Sequence, residues 1–562
     1  MLTPQTLSRL PDPLVDLVNE LQTEIIQSIA KKLTKANYLT PSAEWQLYKA
    51  AQLRMSTADV NKLLRKYTKL SKREIAALYT EACKQAINND AKIYRYYGKD
   101  AESFTRSVAF SNSLKAGIKN ANGMYENLTR SMVQSSRKTV THLMDKAYLK
   151  VLSGAFSPQE AIYSAVKELA DKGIQSVTYP SGRTDWADVA VRRAVITGIG
   201  QTTGRMQLDL AEDMGTDLVE VTAHSGARPS HAEWQGKVYS ISGKSKKYPS
   251  LRAATGYGHG DGLKGWNCRH DFFPYFDGLS ERANFPVDKK ENLREYELEQ
   301  KQRSMERAIR KSKRGLAALD SAIGSADDEQ LKAKLQSDFD RKSNTLKRQE
   351  ARLSDFCESN GLLPRNDRTR VIGFGRSVSQ KAVHGNNRHF VKTMKQYGIK
   401  NPPKTLDKFK EMEYTNNPEY RKMNAYINSV KRGKISPLVG YDRYSEVHKE
   451  IQDTIVGLTT NSGIKVTGQS EHFIERVFGV VKDPDTGRKR EGVSIEDIKE
   501  ALTNGTAGKI KVSRDKNGNI KINKNGNPMR SQKFTTDKCE VSVNPDTGDL
   551  IQCNPKRKKG NI

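Results

Sequence analysis

Long apolar runs are missing from this chain. No stretch approaches the roughly 18 consecutive apolar residues that a membrane-crossing helix needs, so neither a transmembrane helix nor a membrane partner is expected. The opening residues, MLTPQTLSRLPDPL, lack a basic segment followed by an apolar one, so they do not read as a secretory signal. Cysteine is scarce: Cys83, Cys268, Cys357, Cys539 and Cys553 are scattered and odd in number. That excludes a disulfide framework and fits synthesis in a reducing cytoplasm. Acidic residues are in deficit, 65 against 95 lysines and arginines, which leaves a formal net charge of +30. An excess of this size favours a polyanionic neighbour, whether nucleic acid or an acidic protein surface. Apolar residues make up 36% of the 562, enough for cores with none to spare. The length suits roughly three or four folding units of about 150 residues.

The pattern predicts a fold that is mostly α with a small α+β central knot, a helical hairpin and a separate small C-terminal α+β domain. Residues 1–172 read as an N-terminal helical region. Leu14, Leu17, Val18, Leu21, Ile25, Ile29 and Leu33 fall on one helix face. Ser71-Lys-Arg-Glu74 reads as a capping box opening a second helix, and Ser157-Pro-Gln-Glu160 as another, with Pro158 where a missing N–H costs nothing. Residues 173–285 form the central region. Within it, 174–184 reads as a short hairpin or loop turning at Pro180-Ser-Gly182, then a helix runs from about Asp185 to Met214, and 217–223 is a strand. Residues 286–360 show two apolar series at helical spacing, Leu298 to Ile323 and Leu331 to Phe356, broken at Gly324-Ser325. They predict an antiparallel helical hairpin with charged outer faces. Residues 361–440 read as a polar linker with some short helices. Residues 441–562 read as helices followed by a meander, with Asn544-Pro-Asp-Thr-Gly548 as a hairpin turn.

The central region holds the words QTTGRMQLDLAEDMGTDLVEVTAHSGARPSHAEWQGKVYS and GYGHGDGLKGWNCRHDFFPYFDG. Together with VAVRRAV before them, these resemble the phage minor capsid protein 2 family, related to the Mu-type head morphogenesis proteins, over roughly residues 1–375. The resemblance implies a low-copy component of a tailed-phage head. Such a protein is made in the bacterial host cytoplasm and located in the virion near the portal. It has portal and capsid proteins as partners and packaged DNA as a non-specific electrostatic one. It implies no enzymatic activity.

Two readings of the central residues themselves stay open. His224, His231, Cys268 and His270 are imidazoles and a thiol in a glycine-rich stretch, and four such groups could hold zinc tetrahedrally. Their spacing matches no standard zinc module. The other reading, favoured by the glycine and aromatic content, is a turn-rich knot without a cofactor, in which Trp234, Trp266, Phe272 and Tyr275 form a small core. A Cys–His nucleophile built from His231, Glu233 and Cys268 has no spacing that brings the groups together.

Beyond the capsid resemblance, residues 505–538 carry nine lysines or arginines against Asp515 and Asp537, a net charge of 9 − 2 = +7, and Lys-Arg-Lys-Lys follows at 556–559. SEHFIERV, GVSIEDIKEAL and QKFTTDKCEVSVNPDTGDLIQ are similar to the barnase–EndoU–colicin–RelE-like group of metal-independent ribonucleases. That resemblance implies a fused toxin-type domain with an RNA substrate and an immunity protein as partner. It implies attack of a 2′-hydroxyl on the adjacent phosphate, with acid/base groups and cations to stabilise the charge. His472 is then the acid/base candidate, with Arg476 one turn later on its face. Lys533 and Thr535 alternate along one strand and are candidates to hold the phosphate. The final-strand stretch Ile551-Gln-Cys-Asn554 departs from the Thr or Ser often found there, which leaves activity open.

Overall fold

A computed structural model of the protein describes residues 1–35, 43–174, 177–178, 184–371, 374–514, 519–522 and 528–556. The chain divides into two compact units, Met1–Asn386 and Asn387–Ile562.

The first unit is built on long helices: α1 (Asp12–Thr34), α2 (Ala43–Tyr96), α3 (Val108–Leu152), α4 (Pro158–Lys172) and α5 (Ala187–Asp213). The face predicted for α1 is the one it buries. Leu14, Val18, Leu21 and Ile25 are all fully enclosed, each worth roughly 1.5–3 kcal/mol of transfer free energy. The capping box at Ser157 forms as the sequence predicts: its hydroxyl accepts the Glu160 N–H at 3.2 Å, and Glu160 reaches back to the Ser157 N–H at 3.1 Å. The box at Ser71 does not open a helix. Helix α2 runs straight through it, because Tyr67, Ile75 and Tyr79 pack at helical spacing on both sides. The Ser71 hydroxyl is buried and donates back to the Thr68 carbonyl at 3.0 Å. Val177–Thr178 pairs antiparallel with Thr184–Asp185, as a hairpin requires, while the turn at 180–182 lies outside the described residues.

Strands β1 (Leu218–Val221), β2 (Val238–Ser240) and β3 (Phe272–Pro274) form an antiparallel sheet with β1 in the middle. Val219 faces Tyr239 on one side and Pro274 on the other. The hairpin follows as α6 (Lys289–Ile323) and α7 (Glu329–Ser359), capped by Asp288 and Asp328. It is less free-standing than a coiled-coil arm. Ile309, Leu316 and Leu319 join the same core as α1 and α4, and Asp188 of α5 meets Arg310 at 2.6 Å.

Helix α8 (Arg376–Gln396) crosses the division between the units. The linker expected over 361–440 is largely absent. Helices α9 (Leu406–Tyr414), α10 (Pro418–Lys431) and α11 (Tyr441–Thr454) follow, and Met394, Ile399, Met423, Tyr426, Ile427 and Ile435 share one core with the C-terminal strands. Six apolar side chains among many polar ones are few by composition, but they are enough to build a helical layer. The second unit therefore starts near residue 387 rather than 441.

Its remaining elements are β4 (Gly468–Gln469), α12 (Glu471–Val477), α13 (Ile495–Asn504), β5 (Thr506–Ala507), β6 (Lys511–Val512), β7 (Arg530–Thr535), β8 (Cys539–Val543) and β9 (Asp549–Pro555). The sheet order is β4-β9-β8-β7-β5, antiparallel except β4–β9, with β6 beside β7. Gly548, at φ 76°, makes the Asn544–Gly548 turn, a conformation that favours glycine. Phe534, Val541 and Cys553 stand in one row across the strands and are all fully buried.

Candidate functional site

The central knot gathers the predicted histidines and cysteine around β1. Its glycines are required by close backbone approach. A Cβ on Gly262 would collide with the Gly256 carbonyl, and one on Gly265 with that of Gly260. This folding brings His231, on the short helical turn Pro229–Ala232, against Cys268 and His270, which immediately precede β3. All three are buried, with one ligand atom from each lying within 4.8 Å of the others. Trp234, Phe272 and Tyr275 are buried in or beside this core, as predicted. Trp266 is not: its ring lies across Gly260 and is 60% exposed.

Hydrogen bonds set the tautomers. The Nε2 of His231 lies 2.8 Å from the Asp261 carbonyl oxygen, which only accepts, so Nε2 carries the proton. Gln235 Oε1 accepts the His224 backbone N–H at 3.0 Å, which fixes the orientation of that amide. His270 Nε2 therefore donates to Gln235 Oε1 at 3.0 Å. His270 Nδ1 then faces the Cys268 sulfur at 3.6 Å. His224 stacks on His270 with centroids 4.5 Å apart and donates through Nδ1 to the Ser225 carbonyl at 2.9 Å. Burial pushes the His224 and His231 imidazoles down to about 4, with Arg269 adding to the effect at His224 and Arg228 at His231. Burial, with His224 and His231 adding to it, also holds the His270 imidazole well below its ordinary value. Burial raises the Cys268 thiol. A neutral imidazole beside a protonated thiol is no activated nucleophile. The carboxylate of Glu233 points away to Lys289, at 2.9 Å.

Sequence reasoning missed the polar network at the start of β3. Lys264 and Asp271 form an ion pair at 2.5 Å with both side chains fully enclosed. Asp271 also accepts the Phe272 N–H at 2.7 Å, and Gln207 of α5 bridges Asp90 and the Phe272 carbonyl. Burial pushes the Asp271 carboxyl up, but the Lys264 ammonium, the Met1 ammonium and the Leu2 N–H together outweigh it and hold the group below its ordinary range. Lys264 and Asp271, opposite charges within the segment GLKGWNCRHD, were the available signal.

Phage minor capsid protein 2 matches residues 2–358. The chain belongs to this family. As a member of it, the protein is a component of the virion. Two relatives are phage structural proteins. One, from Lactococcus phage LL-H, is 26% identical over 282 residues, which is 48% of this chain and 76% of that protein. The other, from Lactococcus phage mv4, is 33% identical over 127 residues, 22% of this chain and 93% of that protein. No solved structure matches the chain. No helix among the described residues is long and apolar enough to cross a membrane.

The family match ends before the second unit, where His472 and Arg476 share α12. His472 Nδ1 lies 3.5 Å from Glu475, whose carboxylate also accepts from Ser429 and Arg432 at 2.7 Å. Burial raises the Glu475 carboxyl, and His472, Ser429 and Arg432 together bring it below its ordinary range. Arg476 reaches Asn554 of β9 at 3.5 Å. Asn554 stands opposite Glu540, which stands opposite Thr535 and holds Lys533 at 2.8 Å. Strand alternation puts Lys533, Thr535, Glu540 and Asn554 on the sheet face opposite Phe534 and Val541. So Arg476, Lys533 and Thr535 meet through Asn554 and Glu540, two residues the sequence reading did not select. The imidazole of His472 is engaged by Glu475 instead.

Proposed function

We propose that this protein is a low-copy head component near the portal, in contact with packaged DNA through its positive charge, and that its second unit is a metal-independent ribonuclease-like domain carried by the first. The division at residue 386, just beyond the family match, is the observation that carries this modular reading. The polar sheet face with Arg476, Lys533 and Thr535, the last two within the net +7 segment 505–538, supports a phosphodiester ligand for the second unit. In that reaction His472 would take the 2′-hydroxyl proton, with Glu475 orienting its ring; the P–O5′ bond would break as the 2′,3′-cyclic phosphate forms, and solvent would protonate the departing 5′-oxygen. Arg476 and Lys533 would balance charge on the phosphate, and Thr535 would donate to a phosphate oxygen.

Two comparisons test the two halves. Phage encoding a chain that ends at Asn386 are expected to build heads as the full chain does; failure to assemble would refute the modular reading. Purified full chain is expected to cleave RNA in the presence of a chelator, and His472→Ala to lose that cleavage. Intact RNA with the wild-type protein would refute the nuclease reading and leave the head role standing.

A further inference from the structure

We infer that His231, Cys268 and His270 form a zinc site inside the knot of the first unit. The geometry points to a metal in three independent ways. First, the three donor groups come from two segments 37 residues apart yet converge, fully buried, within 4.8 Å. Second, the Cys268 sulfur and His270 Nδ1 are 3.6 Å apart. A tetrahedral zinc with Zn–S of about 2.3 Å and Zn–N of about 2.0 Å sets that edge at roughly 3.5 Å. The third ligand atom, from His231, lies within 4.8 Å of both and needs to close in by at most roughly 1.5 Å. Third, both imidazoles are turned the right way. Each donates its Nε2 proton to a carbonyl oxygen, Asp261 for His231 and Gln235 for His270, so each keeps its lone pair on Nδ1. Metal-bound histidines are almost always held by such an outer acceptor.

Gln235 strengthens the case. It is fully buried, and its Oε1 takes two donors while its Nε2 has no partner among the described residues. A buried amide that leaves its own N–H groups unmet in order to orient a histidine is unusual in a site that only packs. Binding is balanced as loss of the Cys268 thiol proton to solvent, giving one thiolate and two neutral imidazoles on the ion. The set is chemically suited to zinc, since one sulfur and two imidazole nitrogens match its preference. His224 stays outside the set, stacked on His270, and the fourth position is assigned to solvent. The ion would tie the Pro229–Ala232 turn to the residues that precede β3.

The test uses the full chain, purified from zinc-supplemented cells without chelator. Elemental analysis is expected to find one zinc per chain in the wild type and in His259→Asn, a neighbouring histidine outside the set. Cys268→Ser and His231→Asn are expected to lose at least nine-tenths of it. Cobalt exchanged into the wild type is expected to give a thiolate charge-transfer band in the near ultraviolet. This readout needs no variant, so it decides the matter even if the substitutions disturb folding. Trace zinc together with no cobalt–thiolate band overturns the proposal, as does equal zinc in wild type and folded Cys268→Ser.

Discussion

Replacing Lys264 by methionine is expected to destabilise the first unit by about 3–5 kcal/mol, because it strands a carboxylate that water cannot reach. Asp271 has no exposed surface, and Lys264 is the cation paired directly with it; the Leu2 N–H and the more distant Met1 ammonium also favour the carboxylate but do not replace that pair. The ammonium also touches Thr203 and Gln207 at 3.3 and 3.4 Å, but these long contacts add little to the loss. Against a domain stability of roughly 5–15 kcal/mol this is a large fraction. Asp271→Asn alone should also cost several kcal/mol, since it leaves the ammonium unpaired. The double variant Lys264→Met with Asp271→Asn should recover part of the loss: no charge is stranded, and the Asn oxygen still accepts the Phe272 N–H. Denaturant unfolding followed by tryptophan fluorescence suits this measurement, because Trp45, Trp186, Trp234 and Trp266 all lie in the first unit. Losses below about 1 kcal/mol in both single variants, or strict additivity in the double, would refute the claim that the pair is closed to solvent.

Further expectations follow from other contacts. Gly315 of α6 packs so closely on α4 that a Cβ would strike the Ala170 carbonyl oxygen, so Gly315→Val should cost the first unit about 1–3 kcal/mol in the same assay. Ser157→Ala should lose about 1 kcal/mol with the capping box, and Ser71→Ala should show no such capping loss. Lys146, helped by Lys172, holds Glu168 down to about 2 against an ordinary 4.5. A lowered carboxylate stabilises the fold above its unfolded pKa, and that contribution fades as pH falls from about 4.5 toward 2. Lys146→Met should flatten this acid limb of the unfolding curve, and an unchanged limb would exclude the pairing.

How far the fold was legible depended on the kind of signal. Helix faces such as Leu14 to Leu33, and the two apolar series of the hairpin, are local repeats, and they were readable. A cap motif was readable at Ser157 but misleading at Ser71, where tertiary packing of Tyr67 and Tyr79 carries the helix through. The layer formed by α8 to α10 was hidden because Met394, Met423 and Tyr426 are sparse among lysines and asparagines, and only their shared core reveals them. In the knot, the residue types were legible but not their approach: nothing local says that His231 lies against Cys268, or that Gln235 sets the ring of His270. In the second unit, alternation placed Lys533 and Thr535 on one side of a strand. The link from Arg476 through Asn554 and Glu540 depends on register between three elements, which a single sequence does not display.

The central claim is that this chain is a minor structural protein of the virion whose two units travel together. Counting its peptides in purified particles by quantitative mass spectrometry, against the major shell protein, tests this most directly. The account predicts peptides from residues 1–386 and 387–562 in equal amounts, at a small fraction of the shell protein's copy number. Particles free of the chain, or carrying it at the abundance of the shell protein, would contradict it.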